Sequence, residues 1–218
     1  MELQSLWVES GGCRRQNRPW SASDSEKKKS DYLKNLYELT YMKDVQERNH
    51  LRNAEGLFTV VQMLASNIGS PTNPKRMSDT FKSVEKKSVT DKTILNYIEC
   101  LKDAFLIEQA MRYDVKGRKY IGTETKYYFE DIGLRNAILN FRQQEEPHIM
   151  ENIIYNELKY KGFNVDVGFV ESWASMADGK SARLGLEVDF VVNNGAERIY
   201  IQSAFKLPTE EKKVQEER

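Results

Sequence analysis

Thr90-Asp91-Lys92-Thr93-Ile94-Leu95-Asn96-Tyr97-Ile98-Glu99-Cys100-Leu101-Lys102-Asp103-Ala104-Phe105 runs directly into Leu106-Ile107-Glu108-Gln109-Ala110-Met111-Arg112-Tyr113. The change of period between the two halves decides the fold. In the first half Ile94, Leu95, Tyr97, Ile98, Leu101 and Phe105 recur at helical spacing, which predicts a helix from about Lys92 to Phe105. In the second half Ile107, Gln109, Met111 and Tyr113 fall on alternate positions, as in a half-buried strand. Asp114–Tyr120 then reads as a polar loop with Gly117 at its tip, and Lys126–Phe129 as the returning strand of a hairpin.

Working upstream, Ser88–Asp91 is a turn with two candidate caps, and Asn73-Pro74 opens a short helix with Met77, Thr80, Phe81 and Val84 inward. Before it, Asn53 can cap a helix whose apolar face is Leu57, Val60, Val61, Leu64, Ala65 and Ile68, stopped by Gly69-Ser70-Pro71. The order helix, helix, turn, helix, hairpin is that of a winged helix, a helix-turn-helix variant whose hairpin is the wing. Residues 53–141 are read as this domain. Leu33, Leu36, Tyr37, Thr40, Tyr41 and Val45 give a preceding helical linker over residues 30–52, with Ser30 or Asp31 as its cap. Residues 1–29 show neither period and are read as a disordered or unrelated leader.

Downstream, Asp131–Phe141 is a further helix and Arg142–Pro147 a connector. Ile149–Lys161 is a helix with Ile153, Ile154, Leu158 and Tyr160 apolar, ended by Gly162. Val165, Val167 and Phe169 alternate as a strand, and Ser172–Arg183 reads as a loose loop. Leu186–Val192 and Arg198–Phe205 are strands joined by Asn193-Asn194-Gly195, a strong hairpin signal. Residues 207–218 form a charged tail.

Lys+Arg and Asp+Glu both number 33, so the formal net charge is zero, and any attraction for nucleic acid must come from a local patch. Cys13 and Cys100 stand alone, with no zinc or disulfide spacing, which points to a reducing cytoplasm. No apolar run approaches the roughly 20 residues that a membrane-spanning helix needs. The first ten residues lack the basic start and apolar core of a secretory signal. There is no phosphate-cradling Gly-x-x-x-x-Gly-Lys loop, and His50 and His148 fall in no metal or triad spacing.

Two constellations carry chemistry. Thr90, Lys92, Thr93 and Asn96 lie opposite the apolar stripe of the recognition helix, where short polar side chains suit base edges and phosphates. Lys116, Arg118 and Lys119 at the wing would sit over a phosphate backbone, with Lys75, Arg76, Lys82, Lys86 and Lys87 adding positive charge nearby and Asp79, Glu85, Asp91, Glu99 and Asp103 diluting it. The second is a carboxylate set. Glu151 lies in the helix before the strands, and Glu187 and Asp189 lie two apart on a strand, on one face. Metal-dependent phosphodiester cleavage uses two or three such acids around a divalent cation, so these are the candidate metal ligands, with magnesium the implied ion.

Several stretches in order resemble a large prokaryotic family of AAA-type ATPases that carry a C-terminal domain of unknown function. They include Asp31-Tyr32-Leu33-Lys34-Asn35-Leu36-Tyr37-Glu38, Tyr127-Tyr128-Phe129-Glu130-Asp131-Ile132-Gly133-Leu134-Arg135-Asn136, Glu151-Asn152-Ile153-Ile154-Tyr155-Asn156-Glu157-Leu158 and Glu187-Val188-Asp189-Phe190-Val191. The resemblance spans about Ser30 to Phe205. It implies a P-loop ATPase preceding this region and absent here, then a winged helix, then a restriction-endonuclease-like domain over residues 147–206. It places Glu151 and Asp189 at that fold's acidic positions. Gln202 and Ala204 then stand where active nucleases keep Glu and Lys, a degenerate site; Lys206 lies too far along the strand to substitute.

The expected fold class is therefore α+β: a helical segment and a winged helix followed by a partial nuclease-like sheet. The expected function is a non-catalytic DNA- or partner-binding module that needs no cofactor of its own. ATP belongs to the full-length family protein, and the expected partners are DNA, an ATPase domain or further copies of the chain. A magnesium-dependent nuclease and an oligomer-interface module are the alternatives.

Overall fold

The computed structural model describes residues 26–51, 53–84, 89–142, 145–175, 181–195 and 197–204. The chain is α+β and divides into two compact units. Among the described residues, the first unit holds those up to Gln109 together with Glu124 to 142. The second holds Ala110–Thr123 and those from Glu145 onward.

The first unit opens with α1 (Glu26–Asn35), a π-helical segment (Leu36–Met42) and α2 (Lys43–Arg48) in direct succession. Ser30 and Asp31 therefore lie inside a helix and cap nothing. Glu and Lys favour helix intrinsically, so the helix extends back through Glu26–Lys29 without an apolar stripe to announce it. The wide π turn shifts the phase of the buried face. Tyr37, Met42 and Val45 are buried, whereas Thr40, expected inward, is exposed.

Helix α3 (Ala54–Ser66) starts where Asn53 Oδ1 accepts from the Gly56 N–H at 2.9 Å. All six of its expected core residues, Leu57 to Ile68, are within 1% of full burial. α4 (Pro74–Val84) turns Met77 and Phe81 inward. Thr80 faces solvent and donates to the Arg76 carbonyl, while buried Ser78 donates to the Val89 carbonyl at 2.7 Å. α5 (Asp91–Asp103) buries Ile94, Tyr97, Ile98, Cys100 and Leu101. Leu95 and Phe105, both expected on its apolar face, are 46% and 75% exposed. Phe105 lies beyond the helix at φ 53°. The Phe105 N–H donates to the Lys102 carbonyl and the Leu106 N–H to that of Leu101, a Schellman turn. Leu106, 1% exposed, takes the core position that helical spacing assigns to Phe105.

Strands β1 (Ile107–Asp114) and β2 (Lys119–Phe129) follow, then α6 (Ile132–Ile138), capped by Asp131 through the Leu134 N–H. Thr72, between α3 and α4, bridges antiparallel to Thr125 of β2, with the Thr72 N–H 2.8 Å from the Thr125 carbonyl. Three helices, a short strand bridge after the first of them, and a hairpin complete the winged-helix order. The hairpin base packs with the helices through Ile107, Tyr127 and Phe129. β1 does not keep the simple alternation expected. Ile107, Ala110 and Tyr113 are its buried residues, because the strand passes from one unit into the other.

The second unit contains α7 (Glu146–Tyr160), β3 (Asn164–Ser175), β4 (Ser181–Asn194) and β5 (Glu197–Ile201). Pro147 falls in the first turn of α7 rather than in a connector. Gly162, at φ 83°, closes the helix through its bond to the Lys159 carbonyl, as expected. Tyr160, expected on the apolar face, is 89% exposed. The sheet order is β2-β1-β3-β4-β5, with β1 parallel to β3 and the pairs from β3 to β5 antiparallel. Ser172 to Ser175 pair with Leu184 to Ser181, so the stretch read as a loose loop is a long hairpin extension around 176–180. β5 ends at Ile201, which leaves Gln202 and Ala204 beyond the strand on which they were expected.

The register between β3 and β4 slips. Asp166 faces Val191 and Gly168 faces Val188, so Asp189 and Phe190 together oppose Val167 in a bulge. A Cβ on Gly168 would stand 2.8 Å from Val188 Cβ and from Val191 Cγ2, so only glycine admits the bulged strand this closely. The other face is closed by α7, where the Tyr155 and Phe190 rings lie 6.1 Å apart.

Candidate functional site

Asp189 sits on the β4 bulge and is 8% exposed. Its Oδ2 accepts from the Ser203 N–H at 2.7 Å and from the Ser203 hydroxyl at 2.6 Å. The Asp189 N–H in turn donates to Gln202 Oε1 at 3.3 Å. The segment after β5 thus folds back on the acid, and two neutral donors from Ser203 engage its Oδ2. Glu151 on α7 is 7% exposed, and its Oε2 lies 4.0 Å from His148 Nδ1, an ion pair only when the imidazole is protonated. His148 and Glu151 lie one helical turn apart on α7, which brings their side chains together.

Glu187 is exposed while Asp189 is buried, so these two acids occupy different environments despite their spacing. Among the described residues no group of three or more His, Cys, Asp or Glu side chains is placed to hold a metal ion. Glu151, Glu187 and Asp189, the acids of the alternative nuclease reading, do not form such a group. Ala204 offers no donor, and Lys206 lies outside the described residues.

The recognition-helix residues divide by role. Thr90 is the N-cap of α5: its Oγ1 accepts from the Thr93 N–H at 3.2 Å and lies 2.8 Å from Thr93 Oγ1. Both threonines thus have a structural use. Lys92 and Asn96 are exposed. Lys102 is held by Glu99 and by Gln109 Oε1, each at 3.0 Å. With Asp91, Glu99 and Asp103 against Lys92 and Lys102, α5 has no positive excess. A groove of about 510 Å³ is lined by α3, α4 and their connection, with Gln62, Ser66, Asn67 and Arg76 beside Met63 and Met77, and its cation is paired, Arg76 lying 3.2 Å from Glu124.

The wing residues fall elsewhere. Lys116, Arg118 and Lys119 are exposed, but they belong to the second unit, not to that of α5. The Lys116 Nζ donates to the Glu171 carbonyl at 3.0 Å, and the Val115 N–H donates to the Phe169 carbonyl at 3.0 Å. The expected wing tip is thereby built into the sheet next to β3. Glu85, Lys86 and Lys87 lie outside the described residues.

Sequence reasoning missed one polar cluster. Tyr120 donates its hydroxyl to Asp166 Oδ2 at 3.1 Å, and Asn193 Nδ2 lies 3.5 Å from the same oxygen. Arg198 Nε donates to Asn193 Oδ1 at 3.2 Å, and its guanidinium lies 5.1 Å from the Tyr113 ring centroid. Tyr113 and Tyr120 meet edge to face at 5.4 Å. Burial pushes the Asp166 carboxyl up, against the opposing pull of the Tyr120 bond and of Lys159 and Arg198. Burial, and then Asp166 itself, push the Tyr120 phenol up. Five strands contribute to this cluster, and no local spacing reports it.

The fold and these sites define a two-unit α+β chain, with α3, α4 and α5 in one unit, β3, β4 and β5 in the other, and β1 and β2 contributing residues to both. The chain belongs to the family described as a domain of unknown function, DUF8612, which matches residues 18–145. The match begins within the stretch read as an unrelated leader. An uncharacterized protein of Haemophilus influenzae is 31% identical over 180 residues, covering 83% of this chain and 42% of that protein. An uncharacterized protein of Methanocaldococcus jannaschii is 26% identical over 186 residues, covering 84% of this chain and 38% of its own. The chain thus spans about two-fifths of the length of these relatives. No solved structure matches. No described helix is long and apolar enough to cross a membrane.

Proposed function

We propose that this chain is a non-catalytic binding module, the C-terminal part of an AAA-type ATPase, and that it engages a protein partner through α5. The observation that carries the non-catalytic reading is the closure of the Asp189 carboxylate by Ser203. A divalent ion would have to displace two short hydrogen bonds to reach that oxygen, and among the described residues no group of three or more His, Cys, Asp or Glu side chains is placed to repay the loss. The protein-partner reading draws on α5. Its exposed side carries Leu95 between Lys92, Asn96 and Glu99, a mixed apolar and polar surface that suits a protein better than phosphates. The relatives extend well beyond the matched region, and that remainder supplies the partner.

Duplex DNA is the second reading, favoured by the winged-helix order and by exposed Lys92 and Asn96 at the start of α5. One experiment separates the two. The part of the Haemophilus relative outside the matched region is supplied in trans and assembly is followed by size exclusion. Duplex binding is measured in parallel by fluorescence anisotropy at low and high salt. Co-elution lost in Leu95→Glu supports the protein partner. Salt-dependent duplex binding lost in Lys92→Ala, without co-elution, assigns α5 to DNA.

A further inference from the structure

Direct pairing places Tyr113 opposite Gly168, Asp166 opposite Val191, and Arg198 and Tyr200 opposite Asn193 and Val191. Cross-strand partners share a face, so these side chains lie together on the sheet face opposite the Phe190 side that α7 covers. The cluster there has a defined build. Tyr113 forms a floor at 9% exposure. Tyr120 rises from it at 58% exposure, and Arg198 is the exposed cation beside it.

Tyr120 is exposed yet held. Its hydroxyl is tied to Asp166, a carboxylate only 7% exposed, and its ring lies against Tyr113. An aromatic ring fixed at both ends and open to solvent has already lost the rotamer freedom that binding would otherwise cost. Arg198 is likewise fixed, by Asn193 and the Tyr113 face. Arg118 and Lys119 stand immediately before Tyr120 at the hairpin tip, both exposed. Glu197 is the exposed acid nearest in sequence to Arg198, and Asp166 is buried beneath its Tyr120 and Asn193 contacts. Arg198, over the Tyr113 ring, and Arg118, two positions before Tyr120, supply positive charge beside this face.

We infer that this sheet face binds single-stranded nucleic acid, with an unpaired base stacked on Tyr120 and the adjoining phosphates met by Arg198 and Arg118. A rigid exposed ring on a sheet with flanking cations is the chemistry of sequence-tolerant single-strand binding: every base has a π face, and the backbone carries the charge. The inference is independent of α5 and of its partner, since it concerns the other unit. A duplex has its bases already stacked and cannot use the ring.

The test is anisotropy of the full chain with a labelled 12-nucleotide oligothymidine, with a duplex of equal length and inorganic polyphosphate as competitors. Single-strand binding that neither competitor displaces at equal charge is expected. Tyr120→Ala weakens it about tenfold and Arg198→Ala reduces its salt dependence, while Tyr120→Phe, which keeps the ring, retains most of it. Circular dichroism checks that each variant remains folded, and the polyphosphate competition carries the test if Tyr120→Ala does not fold. Absence of single-strand binding, equal displacement by polyphosphate, or undiminished binding in a folded Tyr120→Ala overturns the inference. None of these results bears on the Leu95→Glu experiment.

Discussion

Ser203 donates both its backbone N–H and its hydroxyl to a single oxygen of Asp189, at 2.7 and 2.6 Å. The acid is thus a fastener for the segment leaving β5. Its removal leaves two donors facing a cavity. Asp189→Ala is expected to destabilise the chain by about 2–3 kcal/mol, and Asp189→Asn, which keeps an acceptor, by about 1 kcal/mol, read from urea unfolding. An acid kept for cation binding would behave oppositely, because removing a functional charge commonly raises stability.

Asp166 gives a pH signature of known sign. Burial raises its carboxyl in the folded state, so the folded chain holds this proton over a pH range in which the unfolded chain has released it. The range opens at the unfolded carboxylate value of about 3.9 and closes at the higher folded value. Stability is lost as pH rises through it and is level above it. Asp166→Asn removes the penalty while keeping an acceptor for Tyr120. The variant should match or exceed the parent in thermal stability at pH 7, with the gap shrinking as pH falls toward 3.9. A gap that widens on acidification contradicts this.

Phe105 holds a left-handed backbone at φ 53° with its ring 75% exposed. Glycine is the preferred residue at this position of a helix C-terminus, and a side chain there costs about 1–2 kcal/mol. Phe105→Gly should therefore raise unfolding free energy by about 1 kcal/mol, once the greater freedom of the unfolded glycine is deducted. A variant less stable than the parent would mean that the ring makes contacts worth more than the strain.

The helical unit was legible because its elements obey local rules. Asn53 caps where capping residues cap, and Leu57 to Ile68 fall on one helical face. Failures came where the chain departs from one period. The π turn at Leu36–Met42 rotates Thr40 outward, and the left-handed Phe105 hands its core place to Leu106. In the sheet unit the strands extend by pairing Ser172 with Leu184, Trp173 with Arg183 and Ala174 with Ala182, a mixture of polar and apolar residues without regular alternation. The acids were found by residue type, but the bulge at Asp189 and Phe190 and the return of Ser203 change what they can do. Tyr120 meets Asp166 across 46 positions, and no spacing rule reaches so far.

Titration of the full chain with manganese, with magnesium-dependent nicking of supercoiled plasmid followed on the same sample, tests the non-catalytic reading most directly. The account predicts no stoichiometric ion binding and intact plasmid. A single tight site and nicking, both abolished by Asp189→Ala, would contradict it.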